Sequence, residues 1–433
     1  MASSATQCRS PAWLTPLRAA WPFALALVIA AILHFLVRPY IGEFRSNLLL
    51  FAGINIILAV SLTVVNGFAG QFSIGHAGFM SLGGYLAAAI VYYGSFKIFG
   101  DVNFHGGLLS WTGVTDFTGP LFGPGDLLFL AACLAGGILA TIIGWIVGLP
   151  SLRLRGDYLA IVTLGFGEIV RVLLQGTNGQ FYAGEKEQVL ATPTFKLLNH
   201  LGGALGFIGI PTYATVFWVW LVVILTLAAT IRLKHSAYGR ALLSVREDEI
   251  AAQAMGVNIT RYKVRAFMFG AFFAGVAGAM YAMQIGSINS GDLAFLKSFD
   301  IVIMVVLGGL GSVSGAALAA VLLTLLPELL RDPPSIWPWG LVVACVIAGL
   351  IWLLAPRRLG PLILLAALCI GWEAMRWTAR WLGIDLSNYR MILYALTLIV
   401  IMIVRPQGLF GIREIWDYFP IILRRIGLRG TTA

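Results

Sequence analysis

Long apolar runs separated by short polar stretches divide this chain from end to end. A bilayer is crossed by a helix of about 20 mostly apolar residues. On that measure spans are predicted at Trp21–Val37, Asn47–Val65, Ala77–Tyr93, Leu127–Leu149, Tyr158–Gln175, Tyr213–Ile231 and Ala266–Ile285. Further runs follow at Phe299–Leu310, Gly315–Leu330, Gly340–Ala355, Leu359–Trp377 and Met391–Val404. Phe299–Leu310 is short for a crossing and reads as half of a broken helix. The fold class is therefore all-α: a polytopic α-helical integral membrane protein of about ten to twelve transmembrane segments, some broken or short. Residues 1–46 hold an N-terminal segment and the first span, and 47–331 form the core. Residues 332–388 form a helical hairpin, and 389–433 a last span with a basic tail. Arg9 and Arg18 precede the first span as they would in a signal peptide. No small-x-small cleavage site follows, so an uncleaved span is expected.

Composition agrees with that pattern. The chain is 59% hydrophobic and 11% charged, whereas soluble domains run near 45–50% apolar and about 25% charged. A net charge of +10 raises the question of nucleic acid, but the basic residues are parcelled between spans and form no patch. The charge is instead topological. Alternation from a cytoplasmic N-terminus puts 18 of the 29 Lys/Arg on the cytoplasmic side, including Arg153, Arg155, Arg357, Arg358 and the tail. Lys97, Lys186, Lys196, Lys297 and Arg331 fall outside, and the turn between Val65 and Ala77 falls inside. The C-terminus then returns to the cytoplasm. Cys8, Cys133, Cys345 and Cys369 are scattered, so no disulfide framework, metal site or cofactor is indicated.

One polar island interrupts the apolar pattern. Ser236–Arg265, with Arg232 and Lys234 just before it, carries seven Lys/Arg. After Arg246, the acids Glu247, Asp248 and Glu249 suit the first turn of a short helix, because acids face its positive end, and Gly256 suits the position beyond its last turn. Ile250, Ala251, Ala254 and Met255 share one face that needs a partner. Asn258 and Thr260 can cap a second helix entering the run from Ala266.

Two glycine-rich segments invite the backbone to leave helical form within the membrane, which is tolerated only where protein or a water-filled cavity satisfies it. Asn66–Tyr85 offers Asn66, Gln71, Ser73, His76, Ser81 and Tyr85; Val306–Gly315 offers Gly308, Gly309 and Gly311. Together these are the candidate translocation path. Broken helices present N–H groups to a carboxylate and carbonyls to an ammonium, which suits a zwitterionic amino acid. The competing reading of both segments is close helix packing through glycine. His76 reads first as a cap or a helix-to-helix hydrogen bond, and second as a donor to substrate. Glu168 and Arg171, one turn apart, read as a mutual pair near the outer end of their span.

No G-x-x-x-x-G-K-[ST] run occurs, so no ATPase resides in this sequence. No nucleophile–base constellation marks an enzyme. A stand-alone ion-coupled carrier needs titratable groups inside its spans; Asp157, Glu168 and Asp300 are the few candidates, each placed near a span end. The outer loops Gly94–Asp126 and Gly176–Pro211 are long enough to receive an extracytoplasmic partner.

Glu249-Ile-Ala-Ala-Gln-Ala-Met-Gly256 resembles the EAA loop of ATP-binding-cassette importers, although Ile250 separates Glu249 from the Ala pair and the closing Pro is absent. The longer string GRALLSVREDEIAAQAMGVNITRYKVRAF resembles the LivM-type branched-chain amino-acid permeases. So do GQFSIGHAGFMSLGGYLAA, LPSLRLRGDYLAIVTLGFGEIVRVLL, FDIVIMVVLGGLGSVSGAALAAVLLTLLPELLR and YRMILYALTLIVIMIVRPQGLFG, in the family's order. The resemblance implies a multi-pass permease of the bacterial inner membrane, in contact with lipid and importing branched-chain amino acids, with urea or short amides as the alternative cargo. It implies two cytosolic ATP-binding subunits, a sister LivH-type permease and a periplasmic substrate-binding protein as partners. Glu247, Glu249, Ile250, Ala251, Ala252, Ala254, Met255 and Gly256 become the ATPase-coupling residues, docking helix-in-groove. Two departures stand out. QGTNGQFYAGEKEQVL replaces the family's Thr-Gly-Gly-Pro-type turn after Arg171, and roughly Asp332–Ser387 is inserted before the last block.

Overall fold

The computed structural model describes residues 24–111, 119–151 and 157–331, with scattered positions between 392 and 414. The expected spans Gly340–Ala355 and Leu359–Trp377, and with them the hairpin 332–388, lie outside the described residues. The chain divides into two compact units, Met1–Ile303 and Met304–Ala433.

In the first unit an apolar helix, Ala24–Leu36, precedes α1 (Glu43–Leu62), α2 (His76–Ile98), α3 (Pro124–Ser151), α4 (Asp157–Gln175) and α5 (Val216–His235). Two short helices, α6 (Ala237–Glu247) and α7 (Glu249–Ala254), lead into the long α8 (Ile259–Ile285), and α9 (Phe295–Gly308) starts in this unit and ends in the second. Among the described residues six helices are long and apolar enough to cross a membrane, and each contains an expected span or most of one. The protein is a polytopic α-helical membrane protein. Its described β-structure is a single antiparallel pairing in which Phe207 faces Ile288 and Ile208 faces Ser287.

Glycine sets how closely the central helices meet. A Cβ at Gly83 of α2 would lie 2.3 Å from the Gly275 Cα of α8, and one at Gly278 would lie 1.9 Å from the Met80 carbonyl oxygen. On α3, a Cβ at Gly136 would stand 2.6 Å from the Gly83 carbonyl oxygen. Lipid gives apolar helices no hydrophobic reason to associate, so close backbone contact of this kind supplies the packing energy. The expected loop Gly176–Pro211 folds back on the end of α2. Tyr92 and Tyr93 donate hydroxyl hydrogen bonds to Phe181 O (3.0 Å) and His200 O (2.6 Å), and Lys97 Nζ donates to Thr192 O (3.0 Å).

Within the second unit four residues separate the end of α9 from α10 (Val313–Arg331). The glycines between them serve contact. A Cβ at Gly308 would lie 2.4 Å from Ala316 N, and Gly309, at φ +109°, has Gly411 O 2.4 Å from where its Cβ would stand. The expected segment Phe299–Leu310 is therefore helical to Gly308, in a short helix closed by a glycine break.

Candidate functional site

The polar island folds as an elbow of two helices. Ser236 Oγ accepts from Gly239 N (3.1 Å) and starts α6. Asp248 Oδ1 accepts from Ile250 N (2.8 Å) and Ala251 N (3.0 Å) and starts α7. Gly256, at φ +83°, reverses the chain, and Asn258 Oδ1 accepts from Arg261 N (3.1 Å) to start α8. Asp248 thereby divides what sequence reads as one helix from Arg246 onward. Its capping role holds its own backbone extended, so Glu247 closes α6 and Glu249 opens α7.

One side of this elbow is anchored. Leu242, Val245 and Ala252 are buried. Lys263 Nζ pairs with Glu249 Oε1 at 2.5 Å, and the Tyr238 hydroxyl donates to Tyr262 O (3.1 Å). Burial pushes the Tyr238 phenol up to about 12, which keeps it neutral. The other side is bare. Ile250 is 74% and Met255 84% exposed, and Ala251, Ala254 and Gly256 are exposed beside them. Of the eight expected coupling residues, Ile250, Ala251, Ala254, Met255 and Gly256 thus share an open surface, and Glu247 is exposed at the end of α6. Ala252 points inward, and Glu249 is half-engaged in holding α7 to α8.

From the elbow a side chain reaches the first break. Arg246 Nη1 donates to Gly67 O at 2.8 Å. A Cβ at Gly70, which sits at φ +65°, would lie 3.0 Å from Arg246 Cγ. Lys234 Nζ stands 5.6 Å from the centre of the Phe68 ring. These contacts put the turn between Val65 and Ala77 on the same side as the polar island.

The break itself is a π-helical end, Thr63–Phe68, followed by an irregular stretch that leads to His76. Asn66 Oδ1 accepts from Ser73 N (3.2 Å), bracing the two ends of the stretch. Ile74 N donates to Thr163 Oγ1 (3.0 Å) on α4, and Ala77 N donates to Ser298 Oγ (3.0 Å) on α9. His76 Nε2 lies 2.8 Å from Ser61 Oγ on α1. Ser81 Oγ donates to Ala77 O at 2.9 Å. Among the described residues the buried Gln71 carboxamide has no hydrogen-bond partner at either end, and the Tyr85 hydroxyl is buried facing Ser290.

Lys297, which sequence placed beyond the outer surface, reaches into the bundle, and the expected Glu168–Arg171 pair forms half-exposed on α4. Lys297 Nζ donates to Asn55 Oδ1 at 3.2 Å, and Asn55 is at the midpoint of the 26-residue span Glu43–Phe68. After Gly286 the chain therefore folds back along α2 before α9 begins, which brings Lys297 inward and Asp300 one turn beyond it. Glu168 Oε2 pairs with Arg171 Nε at 2.6 Å, and its Oε1 accepts from Phe295 N (3.3 Å), so the pair also steadies the start of α9.

The second break is closed. Glu414, buried, accepts from Val313 N and Ser314 N (2.9 Å each), Ser314 Oγ (2.5 Å) and Ser312 Oγ (3.3 Å). It fills the N-terminus of α10, where a free carboxylate was expected. Gly308, Gly309 and Gly311 lie in the packed turn beside it. No local signal in the sequence announces Glu414, which stands about 100 residues from its partners.

Among the described residues no group of His, Cys, Asp and Glu could hold a metal ion. The chain is 36% identical over 295 residues to the high-affinity branched-chain amino acid transport system permease protein LivM of Salmonella typhimurium and to that of Escherichia coli. Those matches cover 64% of this chain and 62% of each relative, so the chain spans about three fifths of their length. It is 27% identical over 303 residues to the probable branched-chain amino acid transport permease protein LivM of Methanocaldococcus jannaschii, covering 66% of this chain and 81% of that one. No solved structure matches. The family profile described as branched-chain amino acid transport system, permease component, matches residues 44–402, and the chain belongs to that family.

Proposed function

We propose that this chain is the membrane permease subunit of an ATP-binding-cassette importer for branched-chain or closely related amino acids. Two cytosolic ATPases, a sister permease and an extracytoplasmic binding protein complete the transporter. The relatives' printed names and the family support the cargo class. The observation that carries the mechanism is the elbow at 237–256. It is an apolar surface bare to solvent, on a support tied to α8 by Glu249–Lys263 and to the first break by Arg246–Gly67. A partner groove that takes Ile250, Ala251, Ala254 and Met255 follows the helix-in-groove mode. Movement of that partner then reaches the membrane through Arg246, and alternating access is the response of a bundle that performs no chemistry itself.

The double substitution Ala251→Asp with Ala254→Asp tests this reading. Both positions are exposed, so membrane insertion is expected at wild-type level. Two desolvated carboxylates in an apolar groove abolish docking, and the ATPases no longer co-purify. Recovery of both ATPases at wild-type yield overturns the reading.

A further inference from the structure

Charged side chains halfway across a bilayer are costly, at roughly 2.5–3.5 kcal/mol each on insertion scales, and where they persist they mark ion or substrate pathways. Lys297 and Asp300 are such a pair. Lys297 Nζ reaches Asn55, at the centre of the first long span. Asp300 is the acid one turn beyond Lys297. Both lie on α9, three residues apart and hence on one face. They are nevertheless not closed on each other. Among the described residues Lys297 has one side-chain hydrogen bond, to Asn55, and Asp300 has none, and no ion pair joins them.

Their surroundings connect them to the first break. Ser298, one of the two residues between them, accepts a hydrogen bond from Ala77 N, where α2 starts. The same break carries Gln71, 3% exposed, with neither end of its carboxamide partnered. A buried amide without partners costs about 1–3 kcal/mol, and a polar group bound beside it would offset that cost. A purely structural ion pair closes to contact distance and needs no open amide on the adjoining segment.

We infer that Lys297 and Asp300 form the mid-membrane station for the cargo, Lys297 taking the α-carboxylate and Asp300 the α-ammonium of a zwitterionic amino acid. Asn55 holds the Lys297 ammonium in place. The inference rests on the import of amino acids proposed above and adds the residues that recognise the two charges common to all of them. Selectivity among side chains then lies elsewhere, because neither group senses them.

The test replaces both charges with apolar residues of similar size, Lys297→Met with Asp300→Leu, in the complete transporter reconstituted with its ATPases, sister permease and binding protein. Breaking a buried pair at one side leaves an uncompensated charge, whereas replacing both sides with apolar residues is often neutral or stabilising. A structural pair therefore predicts that the double variant works better than Lys297→Met alone. A cargo station predicts that the double variant is as inactive as the single one. The expected result is wild-type co-purification and binding-protein-stimulated ATP hydrolysis, with leucine uptake lowered by roughly 30-fold or more, as for truncation of a buried charge contact. Uptake within threefold of wild type overturns the inference, and so does a double variant that fails to assemble, since either makes the pair structural. A wild-type transporter that hydrolyses ATP but takes up no amino acid overturns the proposed function instead.

Discussion

The two glycine-rich breaks read alike in sequence and differ in what they do with their freed polar groups. At Asn66–Gly75 the irregular stretch is braced by Asn66, Thr163 and Ser298, yet the Gln71 carboxamide is left without a partner, and Arg246 from the elbow grips one end. At Val306–Gly315 the glycines bring backbone against backbone, and Glu414 takes the N–H groups that open α10. A break in a membrane helix is thus insufficient to mark a path. What matters is whether the protein has already satisfied the groups the break exposes.

The largest effect that separates the breaks is at the closed one. Glu414→Ala removes four hydrogen bonds from a buried carboxylate, and a loss of about 3 kcal/mol is expected. Thermal unfolding of the purified chain in detergent reads it, and uptake per assembled transporter stays unchanged. A fall in specific uptake at wild-type stability gives the second break a transport role and erases the contrast. A smaller and opposite effect is expected at the open break. Gln71→Leu relieves an unsatisfied buried amide, so stability rises by about 1 kcal/mol while uptake falls roughly fivefold. Lower stability with unchanged uptake means that Gln71 has a structural partner.

Much of this fold was legible in the sequence, because bilayer thickness imposes a run length that hydropathy reveals directly. Each of the six long helices coincides with an apolar run. Asn258 and Gly256 were readable as cap and stop, since both act on neighbours a few residues away. The inward position of Lys297 was not readable. A charge after a span reads as loop, and the fold-back from Gly286 rests on contacts with α1 and α2 more than 200 residues distant. Glu414 escaped for the same reason. The division of the elbow at Asp248 was missed because acids suit both a first turn and a cap. The backbone chose the cap.

The Arg246–Gly67 contact is where force is proposed to pass from elbow to membrane, and it can be cut without touching the docking face. In Arg246→Gln the ATPases are expected to co-purify and hydrolyse ATP, while amino acid imported per ATP falls roughly tenfold, within the range of mutational effects on coupling. An unchanged ratio of uptake to hydrolysis contradicts the account.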